Sequence, residues 1–137
     1  DNLNLQKDNT TCGVSVNKTI LIVEDDSINF LLLKKILELK EFKTLKAVNG
    51  KEAVEICREN TNIDLVFMDI KMPVMDGFQA FEIIHSFNPD LPIIAQTAHS
   101  SVEDQDKIMQ MGFTNYITKP LDKERIFEIL NDVFNPR

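Results

Sequence analysis

Three consecutive carboxylates, Glu24, Asp25 and Asp26, follow the apolar run ILIV, and a fourth, Asp69, follows LVFM. Thr97 closes the run PIIAQT, and Lys119 comes directly after TNYIT. Clustered carboxylates repel one another unless a cation neutralises them or their pKa values rise. Oxygen donors with no adjoining His or Cys suit a hard ion such as Mg²⁺. Asp69 beside such an ion can serve as a carboxylate nucleophile that becomes an aspartyl phosphate. The charge of a transferring phosphoryl group can then be shared by the ion, the Lys119 ammonium and the Thr97 hydroxyl. Taken singly, each residue has a plainer role as helix cap, strand residue or solvated charge. Their joint placement at the ends of successive apolar runs favours chemistry.

Five strands and five helices are expected to carry these residues. TILIV (19–23), DLVFM (64–68) and PIIAQT (92–97) are short runs apolar on both faces, as in parallel strands covered by helices on each side. FKTLKAV (42–48) alternates as an edge strand does, and TNYIT (114–118) is a shorter candidate. Between them lie helical periods. Ile28, Leu31, Leu32, Ile36 and Leu39 form one stripe, Ile126, Ile129, Leu130, Val133 and Phe134 another, and Phe81, Ile84 and Phe87 mark a third helix. Asp26 or Ser27, Asn49 with Glu52, Ser101 with Asp104, and Asp122 read as N-terminal caps, and Gly112 as a stop. A β-α unit repeated five times, with right-handed crossovers, gives an α/β doubly wound, mainly parallel sheet. Reactive groups in such sheets gather beyond the carboxyl ends of the strands.

The bulk properties fit one globular domain: 137 residues, 43% hydrophobic and 27% charged. A net charge of −7 argues against general attraction to nucleic acid or anionic membrane. No stretch approaches the roughly 18 to 20 apolar residues of a membrane span, and no secretory leader is read, so a cytoplasmic domain is expected. Residues 1–18, rich in Asn, Thr and Asp, read as a linker or flexible tail, leaving residues 19–135 as the folded unit. Cys12 and Cys57 make a poor disulfide framework, and Cys57 reads as a buried reduced thiol.

The motifs ILIVEDD (20–26), DLVFMDIKMPVMDG (64–77), PIIAQTAHS (92–100) and GFTNYITKP (112–120) resemble the receiver domain of two-component response regulators. That resemblance implies a flavodoxin-like (βα)5 fold with five parallel strands ordered 2-1-3-4-5. It implies Asp69 as phosphoacceptor and modified residue, Asp25 as a direct Mg²⁺ ligand and Glu24 acting mainly through water. The main-chain carbonyl of Lys71 corresponds to a further ligand, Thr97 to the switch hydroxyl, Tyr116 to the switch aromatic and Lys119 to the essential ammonium. A cis Lys119–Pro120 bond is implied as well. Asp26 falls outside the acidic pair and is expected to cap the first helix, pointing away from the metal. His99 and the Lys71 side chain sit at positions that tune phosphate lifetime in this family, and His85 reads as a surface or packing residue.

The implied partner is a histidine kinase or histidine phosphotransfer domain, with a homodimer possible and no nucleic-acid or membrane contact by this domain. MDIKMPVMDG, Asn29 and PIIAQTA resemble receivers attached to hybrid sensor histidine kinases, and only NPR follows the last helical pattern. A carboxy-terminal receiver of a hybrid kinase is therefore expected, with a stand-alone regulator as the alternative. The domain would catalyse its own aspartyl phosphorylation and dephosphorylation, the full-length protein being a histidine kinase in the hybrid case. A protein-binding pseudo-receiver usually lacks the acceptor, the acidic pair or the lysine, and all are present here. A flavodoxin-like cofactor binder needs a Ser/Thr/Gly-rich loop after the first strand, where EDD repels phosphate. An aspartate-nucleophile phosphatase needs a DxD pair, but Ile70 and Lys71 follow Asp69.

Overall fold

The computed structural model describes residues 17–72, 74–98 and 101–135. Its elements alternate as β1 (Thr19–Val23), α1 (Ser27–Glu38), β2 (Lys43–Ala47), α2 (Gly50–Glu59), β3 (Leu65–Asp69), α3 (Gly77–Phe87), β4 (Ile93–Thr97), α4 (Val102–Met111), β5 (Asn115–Thr118) and α5 (Lys123–Phe134). The sheet order is β2-β1-β3-β4-β5, with every pairing parallel, which is the expected flavodoxin-like order. Strands β3 and β4 are buried at every position, as their unbroken apolar runs require, whereas edge strand β2 is largely exposed. Most of residues 1–18 and Cys12 lie outside the described residues; Cys57 is free and buried.

Side chains alternating along each strand divide the core in two. Leu21, Val23, Val66, Met68, Ile93 and Ala95 pack with α2, α3 and α4 on one face. Ile20, Ile22, Leu65, Phe67, Ile94 and Ile117 pack with α1 and α5 on the other. Helix α5 buries Ile126, Ile129 and Leu130 as its stripe requires, with Val133 and Phe134 partly buried beside them.

Helix α1 differs from expectation. It buries Phe30, Leu33, Ile36 and Leu37, and leaves Ile28 75%, Leu31 51%, Leu32 44% and Leu39 64% exposed. The sequence INFLLLKKIL is apolar almost all round, so two stripes satisfy the 3.6-residue period and only Ile36 belongs to both. Tertiary packing chooses the stripe containing Phe30 and turns the expected one outward.

The helix starts are built as their cap residues require. Asp26 Oδ1 accepts the Ile28 N–H at 2.9 Å, Asn49 Oδ1 the Glu52 N–H at 2.9 Å, and Asp122 Oδ1 the Glu124 N–H at 3.1 Å. Ser101 and Asp104 reciprocate, with Asp104 N–H to Ser101 Oγ at 3.1 Å and Ser101 Oγ to Asp104 Oδ2 at 2.8 Å. Helix α4 ends at Gly112 with φ of 110°, a left-handed cap that favours glycine. Gly77 answers a different need. A Cβ there would overlap the Asp69 carbonyl oxygen, so its absence lets α3 start directly against the end of β3.

Candidate functional site

Strands β1, β3 and β4 end at one rim, and the β5–α5 connection closes it. A pocket of about 170 Å³ there is lined by Glu24, Asp25, Asp26, Asn29, Asp69, Ile70, Lys71, Thr97, Ala98 and Lys119. The residues singled out in separate motifs for chemistry thus converge, Tyr116 standing apart on β5.

The Lys119 ammonium bridges two carboxylates. Its Nζ lies 3.3 Å from Asp69 Oδ2 and 3.2 Å from Glu24 Oε1. The contact to Asp69 is a hydrogen bond, whereas Glu24 Oε1 has charge proximity without an aligned donor. On the other side, the Lys71 N–H donates to Asp69 Oδ1 at 3.3 Å. The Lys119–Pro120 bond is cis.

Glu24, Asp25 and Asp69 each present a carboxylate oxygen within 4.8 Å of one another. Glu24 and Asp69 are buried, and Asp25 is exposed. Burial pushes the Glu24 carboxyl up to about 7, helped by the neighbouring Asp69 carboxylate and opposed by Lys119 and the Asp26 N–H. Burial works against the Lys119 charge, but Asp69 and Glu24 outweigh it and raise its pKa. Three carboxylates against one ammonium leave the site with excess negative charge. Those oxygens, converging on one point with a pocket between them, fit a hard divalent cation.

Asp26 caps α1, holding the Ile28 N–H and, at 3.1 Å, the Asn29 side-chain amide. It lines the pocket rim but is not one of the three converging carboxylates. Thr97 is buried on the face opposite Asp69, the side chain being one step further along β4 than Gln96, the registered neighbour of Asp69. Tyr116 lies on the Thr97 face, opposite Ala95 and one pleat below Thr97, half-buried against the core. Arg125 of α5 holds this strand, donating to Asn115 Oδ1 at 3.1 Å and to the Tyr116 carbonyl at 3.5 Å. His85 stacks on Phe81 at 5.1 Å between ring centroids, a packing role as expected, and His99 lies outside the described residues.

Sequence reasoning passed over Gln96, counted only as part of an apolar run. A single amide inside a strand apolar on both faces was the available signal.

A family described as the response regulator receiver domain matches residues 20–131. Hybrid signal transduction histidine kinase I of Dictyostelium discoideum is 31% identical over 95% of this chain, which spans 8% of that kinase. The receiver domain of the yeast response regulator Ssk1, solved with the histidine phosphotransfer protein Ypd1 of Saccharomyces cerevisiae, superposes with a TM-score of 0.80 and 30% identity. The superposition covers 86% of this chain and 89% of that one. The receiver domain of sensor histidine kinase PA1611 from Pseudomonas aeruginosa, with magnesium in its active-site cleft, gives a TM-score of 0.79 and 27% identity. There the coverage is 87% of this chain and 98% of that one.

Proposed function

The chain belongs to the response regulator receiver domain family, and from that premise we propose that residues 19–135 form a Mg²⁺-dependent phosphoacceptor unit. It takes a phosphoryl group from a phosphohistidine onto Asp69 and switches partner binding. The carrying observation is the Asp69 carboxylate, held between the Lys119 ammonium and two further carboxylates.

Asp25, Asp69 and the main-chain carbonyl of Lys71 would hold Mg²⁺, with Glu24 acting through water. When bound, the ion offsets the charge of the carboxylates and of a phosphoryl oxygen. The chain's own groups do the rest. An Asp69 oxygen attacks phosphorus while the bond to the donor imidazole nitrogen breaks, and the imidazole keeps the electron pair and takes a proton. Lys119 shifts from the carboxylate pair to a phosphoryl oxygen, and the Thr97 hydroxyl donates to another. Water attacking the same phosphorus later expels the Asp69 carboxylate and closes the cycle.

Thr97 drawn toward the phosphate vacates space on its own face, and Tyr116 turns into it. The surface of α4, β5 and α5 then changes its partner preference, possibilities that include a second copy of the chain. The donor is a histidine kinase or a histidine phosphotransfer protein, the partner class that the Ssk1 receiver meets in Ypd1. Because Asp26 and Asn29 form part of the pocket rim, the exposed Ile28, Leu31 and Leu32 of α1 offer such a donor an apolar contact beside the site. The similarity to receivers of sensor kinases supports a hybrid histidine kinase as the larger context, working in the cytoplasm. Among the described residues no helix is long and apolar enough to cross a membrane.

Incubation with acetyl phosphate and Mg²⁺, followed by mass spectrometry, tests this reading. A phosphate adduct in the native chain that is lost in Asp69→Asn supports it. No adduct in the native chain leaves a protein-binding role and refutes the acceptor.

A further inference from the structure

Gln96 is completely buried, and neither its Nε2 nor its Oε1 has a hydrogen-bond partner among the described residues. A buried amide without partners forfeits the hydrogen bonds that water gave it, whereas an apolar side chain of similar size forfeits none. Apart from Thr97 at the pocket rim, the other buried positions of β4, Ile93, Ile94 and Ala95, are apolar. An orphaned amide in a central strand therefore calls for a partner that another state supplies.

The register says where that partner lies. Gln96 pairs with Asp69 on β3 and with Ile117 on β5. Two residues earlier, Ile94 packs on the α1 and α5 face, so Gln96 shares that face with Asp69 and with Lys119, two residues after Ile117. Neighbouring strands lie about 4.8 Å apart, within reach of a glutamine side chain. Gln96 is buried and is not among the residues that line the pocket.

In the structure Asp69 Oδ2 takes its hydrogen bond from Lys119. Once Asp69 carries a phosphoryl group, its charge moves outward onto the phosphoryl oxygens and the ammonium follows. With Oδ1, the oxygen that accepts the Lys71 N–H, as the attacking atom, the remaining Oδ2 loses its Lys119 donor, and of its two lone pairs the ion would take one and leave the other open. We propose that Gln96 is a positioning residue whose side-chain N–H takes over as donor to that oxygen when Asp69 is phosphorylated. This rests on the phosphoacceptor reading and deepens it: the orphaned amide marks a hydrogen bond held in reserve for the phosphorylated state.

The test uses the whole 137-residue chain, Mg²⁺ and beryllium fluoride as the phosphoryl mimic, with Gln96→Leu as the variant. The Gln96 side-chain amide resonances of the native chain should shift, and their solvent exchange should slow, when the mimic binds. Gln96→Leu should bind the mimic about fivefold more weakly, the worth of one ordinary hydrogen bond, with no loss of thermal stability in its absence. Equal affinities together with unmoved amide resonances overturn the inference alone. A native chain that neither binds the mimic nor accepts phosphate overturns the acceptor reading and this inference with it. Should Gln96→Leu fail to fold, Gln96→Met and the native amide resonances decide the question in the same way.

Discussion

On the sheet face covered by α1 and α5, Glu24, Asp69, Gln96 and Lys119 stand at the ends of four neighbouring strands, whereas the face covered by α2, α3 and α4 carries Thr97 and Tyr116. One residue along β4 separates the two sets. Because strand side chains alternate, that single step sends Gln96 toward the ion pairs and Thr97 toward the opposite core. Under the proposed reading, phosphorylation chemistry occupies one face and its detection the other, with Thr97 reaching the shared pocket from the detecting side. A change at Asp69 then needs no long pathway to reach Tyr116, since Thr97 and Tyr116 stand on one face, a single pleat apart.

The largest effects should come from breaking the chemical face alone. Asp69→Asn should abolish phosphate uptake from acetyl phosphate, read by mass spectrometry, while circular dichroism shows an unchanged fold. Lys119→Met should slow uptake by about 10² to 10³-fold, the usual cost of removing one group that stabilises developing charge. Thr97→Ala separates the faces most cleanly. Tyr116 is the single tyrosine and the chain has no tryptophan, so intrinsic fluorescence reports on that one ring. The native chain should change its tyrosine emission on phosphorylation, and Thr97→Ala should lose that change while still taking up phosphate.

A smaller effect concerns the surface of α1. Ile28→Glu combined with Leu31→Glu should lower transfer from a phosphohistidine protein by about tenfold, as loss of a modest interface anchor does. Uptake from acetyl phosphate, which needs no docking, should be unchanged.

The mildest effect is the pH dependence set by Glu24. Its carboxyl is raised from 4.5 to about 7 in the folded chain, so the folded state holds this proton more tightly than the unfolded one. The metal-free fold should therefore lose stability as pH rises from about 4.5 to 7, the reverse of an ordinary salt-bridged carboxylate. Mg²⁺ favours the ionised carboxylate, so its affinity should climb over the upper part of that range and level off above it. Isothermal titration across pH checks this, and Glu24→Gln should flatten the dependence.

The order of strands and helices was legible because each buried strand is an unbroken apolar run and each helix start carries its own cap. Glu24, Asp25, Asp69 and Lys119 were legible because charges directly after apolar strands are costly unless they meet. Two things were less so. Helix α1 is apolar on nearly every side, and the period alone could not choose between the stripe of Ile28 and that of Phe30. Only packing against β1 and β2 decides this, and a sequence window of one helix does not contain it. Gln96 was hidden because a strand buried on both faces has no polar side to betray its register. Its relation to Asp69 exists only through the pairing of β3 with β4.

Phosphate uptake at Asp69, as proposed, requires Asp25 and Asp69 to hold one divalent ion beside the Lys119 ammonium. A crystal grown with Mn²⁺ in place of Mg²⁺ tests it most directly, because the anomalous signal locates the ion without assumption. A single peak between Asp25, Asp69 and the Lys71 carbonyl is the predicted result. A peak elsewhere on the molecule, or none at the pocket at saturating Mn²⁺, contradicts the account.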